Sequence, residues 1–161
     1  MIVTVDALFS KSNKIGARII SAGTAHLASN IKPSPSHTAL LVNGRWVHES
    51  TGKAGVSVIS YDKWQTLHKE TARISLSSRE YQEIADEYRK MLGKKYDYLG
   101  ISFFGLAIIP TFFGFKLPKI NKWESPNRYF CCEVLGKLTG HYYGMSAPVQ
   151  ILAKLLKDPN G

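Results

Sequence analysis

The fold class is decided by the segment Ser36-His37-Thr38-Ala39-Leu40-Leu41-Val42-Asn43-Gly44-Arg45-Trp46-Val47-His48-Glu49. Apolar residues lie on both sides of Asn43-Gly44, a dipeptide that strongly favours the turn of a β-hairpin. We therefore predict two antiparallel strands, 37–42 and 45–49. The first begins with His37 and the second carries Glu49, so the hairpin places an imidazole and a carboxylate in one region.

The length of the turn decides which side chain lies beside His37. A two-residue turn pairs Val42 with Arg45. His37 then shares a face with His48 and Ser50, because side chains alternate between the two faces of a strand. In this register His48 or Ser50 would orient the imidazole.

A three-residue turn gives a different pair. With Gly44 in the left-handed region, a bulge pairs Leu41 with Arg45 and sets His37 directly across from Glu49. Directly opposed residues of antiparallel strands have Cβ atoms about 5 Å apart. On this reasoning, a contact between His37 and Glu49 requires the bulged turn.

The remaining elements are predicted from apolar spacing and capping residues. Strands are expected at 1–8, 55–61 and 72–76. Helices are expected from a cap at Ser12 towards Leu27, over 81–91 after a capping box at 77–80, from Cys131 to about Gly140, and from Pro148 onwards. The strands cluster in the middle of the chain, with helices before and after them. This order indicates an α+β fold in a single domain, residues 1–161.

The chain is basic, since 21 Lys and Arg residues stand against 12 Asp and Glu, a net charge of +9. Such a charge favours polyanionic surroundings, among them nucleic acid, anionic lipid and cell-wall polymers. The cations are scattered and no nucleic-acid-binding motif accompanies them, so no specific nucleic-acid binding is expected. A basic face that only aids solubility is the alternative.

The longest uncharged run, Tyr98 to Phe115, approaches the length of a membrane span but is interrupted by glycines and a proline. We expect a buried helix followed by a loop, with a loop that dips into a membrane as the alternative. The first residues lack the charged start and long apolar core of a signal peptide. A protein that is cytoplasmic as synthesised is expected, and peripheral association with a membrane or envelope stays open.

The only two cysteines, Cys131 and Cys132, are adjacent. Neighbouring cysteines rarely form a disulfide, and two of them do not make a four-ligand zinc site, so no disulfide framework, metal or cofactor is expected. Cys131 lies where a helix is predicted to begin. A helix N-terminus and a nearby imidazole both favour the thiolate, the nucleophilic form of cysteine. Cys132 projects about 100° away around the helix and is expected to be a small core residue.

These residues supply what a cysteine hydrolase needs. Cys131 is the candidate nucleophile, and its own N–H is a candidate donor to the oxyanion. His37 is the candidate base and general acid. Glu49 is the natural group to orient the imidazole, with His48 or Ser50 as the alternatives.

Five short motifs follow one another along the chain. They are Ser36-His37-Thr38-Ala39-Leu40, Val47-His48-Glu49, Gly93-Lys94-Lys95-Tyr96-Asp97-Tyr98, Phe130-Cys131-Cys132-Glu133 and Ser146-Ala147-Pro148. This order resembles the circularly permuted branch of the NlpC-like papain-fold cysteine hydrolases, the YiiX-type enzymes, to which the lecithin:retinol acyltransferase-like proteins are related. The resemblance spans most of the chain, and Cys132 stands where serine is usual.

The resemblance implies a permuted papain-like fold, in which a small antiparallel sheet packs against the helix that bears the nucleophile. It aligns Cys131 with the nucleophile, His37 with the base and Glu49 with the third member of the triad. Tyr96 or Tyr98 would supply a side-chain donor to the oxyanion. The run 98–115 would be internal to the fold.

The expected function is that of a thiol hydrolase of the amidase or peptidase type. Its substrate would be an amide, such as a peptidoglycan stem peptide or an isopeptide bond, and its intermediate a thioester. A first alternative is a lipid or thioester acyl hydrolase or acyltransferase, with an acyl pocket lined by Phe103, Phe104, Phe112 and Phe113. A second alternative is a non-catalytic basic adaptor that binds an anionic envelope component. The short chain is typical of a bacterial or phage protein.

Overall fold

A five-stranded antiparallel sheet is the centre of the computed structural model, which describes residues 1–11, 15–116, 118, 122–123, 125–141 and 146–158. Its strands are β1 (Ile2–Lys11), β2 (His37–Val42), β3 (Trp46–Thr51), β4 (Gly55–Ser60) and β5 (Lys69–Glu80). Two short strands, β6 (Lys95–Tyr96) and β7 (Arg128–Tyr129), form a parallel pair. The helices described are α1 (Ile15–Thr24), α2 (Tyr61–Leu67), α3 (Tyr81–Met91), α4 (Tyr98–Ile108), α5 (Cys131–Thr139) and α6 (Pro148–Lys157), with 3₁₀ turns at Ala25–Ala28 and Ile109–Phe113.

The strands of the main sheet are arranged β4-β3-β2-β1-β5. β2, β3 and β4 are joined by successive hairpins, while β1 lies between β2 and β5 and pairs antiparallel with both. Short hairpin connections require antiparallel neighbours, whereas parallel ones need long crossovers. The α+β class predicted from the order of elements is confirmed.

The two faces of the sheet bury different clusters. Leu40 of β2 belongs to the larger core, which lies between the sheet and α3, α5 and α6. Its neighbour Leu41 points to the other face, as alternation along a strand requires, and belongs to a smaller cluster closed by Trp64 of α2. Trp64 is fully buried. The sheet therefore separates two cores, and Cys131 belongs to the larger one.

The hairpin between β2 and β3 has a register that neither predicted turn gives. Val42 pairs with Trp46, whereas both predictions paired Arg45 with a residue of β2. Continued along the strands, this register sets Glu49 one diagonal step from His37 on the same face of the sheet. The predicted direct opposition of these two residues is therefore wrong, although they stay within reach of each other.

The central strand β1 explains this register. The Asn43 N–H donates to the carbonyl of Thr4, and the Asn43 side chain accepts from the Thr4 N–H. Asn43 and Gly44 both have left-handed backbones, with φ of 52° and 63°. The turn closes where the Arg45 N–H donates to the carbonyl of Val42. A third strand, β1, therefore fixes the turn. A prediction from the residues of the hairpin alone does not include this strand.

Several element boundaries also differ from the predictions. β1 and β5 are both longer than expected, because they pair with each other over most of their length. β5 runs through 77–80, so the predicted capping box is strand, and α3 begins after Glu80, which provides no side-chain cap. Helix α2 was not predicted. The predicted cap at Ser12 lies outside the described residues.

The helices α5 and α6 follow their predictions. α5 begins at Cys131 and ends before Gly140, whose left-handed backbone (φ 74°) suits a residue without a side chain. α6 begins with Pro148 in its first turn, where the missing N–H of proline costs no helical hydrogen bond. The predicted position of the thiol at a helix start is confirmed.

The uncharged run 98–115 forms α4 and the 3₁₀ turn after it. Gly100, Phe104 and Ile108 are buried. Other apolar side chains of the run are more than half exposed, namely Tyr98, Leu99, Leu106, Ile109, Phe112, Phe113 and Phe115. The expectation that this run is buried and internal is therefore wrong, because a four-residue spacing buries only one narrow stripe of a helix. Within the described ranges, no helix has both the length and the apolar character needed to cross a membrane.

Candidate active site

Cys131 is the first residue of α5, which packs on β2 and β3. The carboxylate of Glu133 accepts a hydrogen bond from the Phe130 N–H at 2.9 Å and so fixes the start of the helix. Leu135 and Leu138, further along α5, are fully buried in the larger core. The first N–H groups of a helix have no acceptor within it. The sulfur therefore lies where partial positive charge favours the thiolate.

His37 is the first residue of β2 and is hydrogen-bonded to Glu49 of β3. The distance from His37 Nε2 to Glu49 Oε2 is 2.8 Å, and the two side chains are only 12% and 4% exposed. Burial opposes ionisation of Glu49, but the hydrogen bond and the charge of His37 hold the pKa of Glu49 below its usual value. The carboxylate orients the ring and leaves Nδ1 for a second partner.

Cys131 lies near the His37 ring, close enough for the thiol and the imidazole to shift each other's pKa. Burial opposes the charged ring, but hydrogen bonds and negative charge from Cys131 and Glu49 outweigh it and raise the pKa of His37 to about 10. A hydrogen bond from Cys132, and then the contact with His37, hold the pKa of Cys131 well below its usual range despite burial. These shifts favour the thiolate of Cys131 together with the imidazolium of His37.

Cys132 has a more specific position than that of a core residue alone. Its Sγ lies 4.0 Å from the Sγ of Cys131, and it is almost fully buried as predicted. Burial, together with the neighbouring thiolate, raises the pKa of Cys132 well above its usual value, so it stays an S–H donor. The hydroxyl of Thr38 donates to Cys132 Sγ at 3.9 Å. Thr38 and Cys132 thus form a chain of two weak donors that ends at the sulfur of Cys131.

A second histidine, His68, lies at the site and was missed by the sequence reasoning. It precedes β5, and its Nε2 is 3.5 Å from Glu49 Oε2. Its ring stacks on His37 on one side and on Trp64 on the other, with centroid distances of 4.9 Å and 5.0 Å. Its Nδ1 lies 3.4 Å from Ser10 Oγ. Two stacked imidazoles therefore lie against the carboxylate, and Trp64 stacks on the second of them.

A local signal for α2 and His68 is present in the sequence. Ser60 caps α2 by accepting from the Lys63 N–H. Tyr61, Trp64 and His68 then follow at a spacing that places aromatic rings on one side of a helix. The helix is only seven residues long, and so short a periodic stretch is easily passed over.

His37, Glu49 and His68 place three atoms of ligand type within 4.8 Å of one another, which raises the question of a metal ion. Imidazole nitrogens and carboxylate oxygens are common zinc ligands, and tetrahedral bonds of about 2.0–2.1 Å separate two ligand atoms by about 3.4 Å. The 2.8 Å between His37 and Glu49 is instead an ordinary hydrogen-bond distance. The geometry is that of a hydrogen-bonded network, and the expected absence of a metal stays a prediction.

The two alternative orienting groups have other partners. The Ser50 hydroxyl donates to the carbonyl of Tyr129 at 2.6 Å. His48 packs edge-on against Tyr88, and burial lowers the pKa of His48 to about 4, so its ring is neutral. Glu49 is therefore the member of this group that contacts the imidazole of His37.

The two tyrosines expected to assist the oxyanion lie in different surroundings. Burial, followed by the negative charge of Cys131, raises the pKa of Tyr96 well above its usual value, and Tyr96 packs against the larger core that contains Cys131. Tyr98 is more than half exposed, and its hydroxyl donates to the carbonyl of Gly52 at 2.8 Å. The role of either tyrosine as a donor to an oxyanion stays a prediction.

The four phenylalanines expected to line an acyl pocket are distributed between the interior and the surface. Phe104 is buried in the larger core, and Phe103 packs against Trp123 with ring centroids 5.4 Å apart. Phe112 and Phe113 are exposed on the 3₁₀ turn after α4. An acyl pocket formed by all four stays a prediction.

The described site brings together a thiol with a lowered pKa, an imidazole and a carboxylate. Nucleophilic hydrolysis through a covalent intermediate requires these three groups in contact. The network is nearly enclosed, since Cys131 is only 4% exposed. No protein-family model, curated protein or solved structure matches this chain.

Proposed function

We propose that the protein is a thiol hydrolase of the amidase or peptidase type. The observation that carries the proposal is the chain of contacts from Glu49 through His37 to Cys131, with the sulfur at the start of α5. A cysteine that only fills a core needs neither an imidazole nor a lowered pKa. Groups with strongly shifted pKa values concentrate at functional sites.

The first half of the reaction forms a thioester. Cys131 Sγ attacks the carbonyl carbon of the amide, and the C=O electron pair moves onto oxygen. The Cys131 N–H and the Tyr96 hydroxyl donate to this oxyanion. The oxyanion then collapses, the C–N bond breaks, and His37 gives its proton to the leaving amine.

The second half releases the acid. Water attacks the thioester carbonyl while the neutral His37 ring takes one of its protons. The C–S bond breaks and the thiolate leaves, which restores the imidazolium–thiolate pair. Glu49 stays ionised throughout, because its role is to hold the ring and stabilise its positive charge.

A permuted papain-like arrangement belongs to this proposal. Its support is that α5 packs on β2 and β3, and that the base precedes the nucleophile in the chain. A peptidoglycan stem peptide or an isopeptide is the favoured substrate class. The net charge of +9 suits an enzyme that works near anionic polymers.

A second candidate function is acyl hydrolysis or transfer on a lipid or thioester. The same thiolate chemistry acts on esters, and one observation favours this class. Five apolar side chains of the segment 106–115 are more than half exposed, as expected for a protein that meets lipid: Leu106, Ile109, Phe112, Phe113 and Phe115.

Covalent adducts distinguish these functions. The protein is incubated separately with muropeptides and with acyl thioesters, and Cys131 is followed by mass spectrometry. We expect a hydroxylamine-sensitive adduct on Cys131 in the wild type and in Cys132→Ser, and none in Cys131→Ala. His37→Ala should lower turnover by about 100-fold or more. Full turnover by Cys131→Ala would exclude both enzyme classes in favour of an adaptor.

A further inference from the structure

A basic cavity lies beside α1, and neither Cys131 nor His37 is among the described residues that line it. Its volume is about 550 Å³, and three cationic side chains line it: Lys11, Arg18 and Lys32. Three serines add hydroxyl groups, namely Ser21, Ser29 and Ser34. Among the described lining residues there is no carboxylate. The cavity therefore has the charge and the donors of an anion site.

One of these hydroxyls has an unmet hydrogen-bonding capacity. Ser34 is 7% exposed, and its Oγ is buried without a hydrogen-bond partner among the described residues. The Ser34 carbonyl, by contrast, accepts from the Ser21 hydroxyl at 2.6 Å. Buried hydroxyls are normally paired. The Ser34 oxygen is thus enclosed by the loop that lines the cavity, and the cationic lining is what favours an anion there.

The apolar segment 106–115 adjoins this cavity. His26 lines the cavity, and its Nε2 is 2.6 Å from the Oγ1 of Thr111. The His26 ring also stacks on Phe112, with centroids 4.0 Å apart. Phe113, next along the chain, is 77% exposed. The cavity and the exposed apolar side chains therefore share one surface of the molecule.

This surface needs a partner that offers negative charge and apolar material together. A free phosphate would fill the cavity and leave the phenylalanines in water. An apolar protein partner would cover the phenylalanines and leave the cations unpaired. An anionic bilayer presents phosphate at its surface and hydrocarbon about 5–10 Å below, which is the depth to which interfacial elements insert.

We propose that the surface formed by the cavity and segment 106–115 docks the protein on an anionic lipid membrane. The phosphate of a lipid headgroup lies in the cavity, between Arg18 and Lys32, and the side chains of Phe112 and Phe113 enter the interface. This proposal goes beyond the hydrolase function and does not require it.

Vesicle co-sedimentation tests this docking surface. The protein carries Cys131→Ala, so that any lipid turnover is absent. Vesicles of phosphatidylcholine are compared with an equimolar mixture of phosphatidylcholine and phosphatidylglycerol. We expect the mixed vesicles to bind at least about 10-fold more tightly, since each basic residue near an anionic surface strengthens binding several-fold.

Two double variants locate the contact. Arg18→Glu with Lys32→Glu removes the charge, and Phe112→Ser with Phe113→Ser removes the apolar contact. Each should weaken binding to mixed vesicles by about 10-fold or more. The matched control is Lys63→Glu with Leu67→Ser on α2, a helix that packs on other strands, and it should bind as before. Circular dichroism checks that every variant keeps its fold.

The outcomes that overturn the proposal are specific. One is equal binding to vesicles with and without phosphatidylglycerol, and another is wild-type binding by both double variants. A single-stranded RNA that binds more tightly than the mixed vesicles would identify the cavity as a nucleic-acid site instead. None of these results depends on whether Cys131 is catalytic, because all are measured with Cys131→Ala.

Discussion

The Nε2 atom of His37 lies 2.8 Å from the Oε2 of Glu49, although the last strand pair before them is that of Leu40 with His48. The glutamate side chain spans a diagonal step between strands, a separation that long side chains can bridge. The backbone pairing of β2 with β3 ends at Leu40 and His48. Beyond that point the side-chain contact of His37 with Glu49 joins the two strands. The proton affinity of the imidazole depends on both strands.

Iodoacetamide labelling of Cys131 should be fast throughout the neutral range. The pKa of Cys131 is lowered, so its thiolate persists as pH falls, whereas an ordinary thiol loses it below about 8.5. The imidazolium persists up to about pH 10, the pKa of His37. Labelling rates resolved by mass spectrometry between acid and alkaline pH should place the Cys131 midpoint well on the acid side of 8.5. Cys132, whose pKa is raised, should label slowly at neutral pH.

Removal of the His37 imidazole should shift the pH midpoint of Cys131 labelling. In His37→Ala the thiolate loses its counter-ion, and the labelling midpoint of Cys131 should rise towards that of an ordinary thiol. His48→Phe is the matched control, because it removes a different buried imidazole, one that packs on Tyr88. A midpoint that is the same in His37→Ala and in the wild type would contradict the ion pair.

Two Cys132 variants should distinguish the size of this side chain from its role as a hydrogen-bond donor to Cys131. Its hydrogen bond is the largest contribution to the lowered pKa of Cys131. Cys132→Ser keeps a donor and should change the labelling midpoint little, while Cys132→Ala removes the donor and should raise the midpoint. The difference between the two variants is the quantity to measure. Equal midpoints for serine and alanine would show that the donor has no effect on the thiolate.

His68→Phe tests the second histidine as a positioning residue. The variant keeps a ring between Trp64 and His37 but removes the charge near Glu49, which is one of the contributions that lower the pKa of Glu49. The pKa of Glu49 should rise, and the acid limb of the Cys131 labelling profile should shift to higher pH by less than about one unit. An altered rate with an unshifted profile would indicate that His68 acts through packing alone.

Acid should destabilise the fold through His48. Its folded-state pKa of about 4 lies below its ordinary value of 6.5, so the unfolded chain binds the proton first. The contribution of His48 to the free energy of unfolding is complete above pH 6.5 and is lost as pH falls towards 4. The loss is about 3 kcal/mol. His48→Phe keeps a ring against Tyr88 and should flatten the decline. Urea unfolding between pH 4 and pH 6.5 measures the free energy of unfolding of both proteins. An equally steep decline in the variant would rule His48 out as the cause.

The sequence was most informative where a signal is local. Asn43-Gly44 predicted a turn, and Cys131 and Gly140 predicted the two ends of α5, because turns and helix ends depend on the conformational preferences of single residues. The contact of His37 with Glu49 was also anticipated, but for a register that does not occur.

The remaining features depend on contacts between distant segments. The register of the hairpin is fixed by Thr4, which lies 39 residues before Asn43. The position of His68 depends on a short helix folded beneath the sheet. The exposure of Phe112 and Phe113 depends on how little of α4 the rest of the chain covers. Hydrophobic periodicity indicates that a face is apolar and leaves open what covers it.

Because the sheet divides the interior into two cores, the reactivity of Cys131 should be lost at a lower temperature than the fold. Cys131 rests on the larger core, whereas His37 and Glu49 lie beside the small cluster that Trp64 closes. Units with few buried contacts open at a lower free energy than the whole molecule. Opening of α2 would admit water to the imidazole and discharge the ion pair while α5 stays folded. On heating, reactivity should therefore disappear before the melting transition, and amide hydrogen exchange in α2 should report its loss.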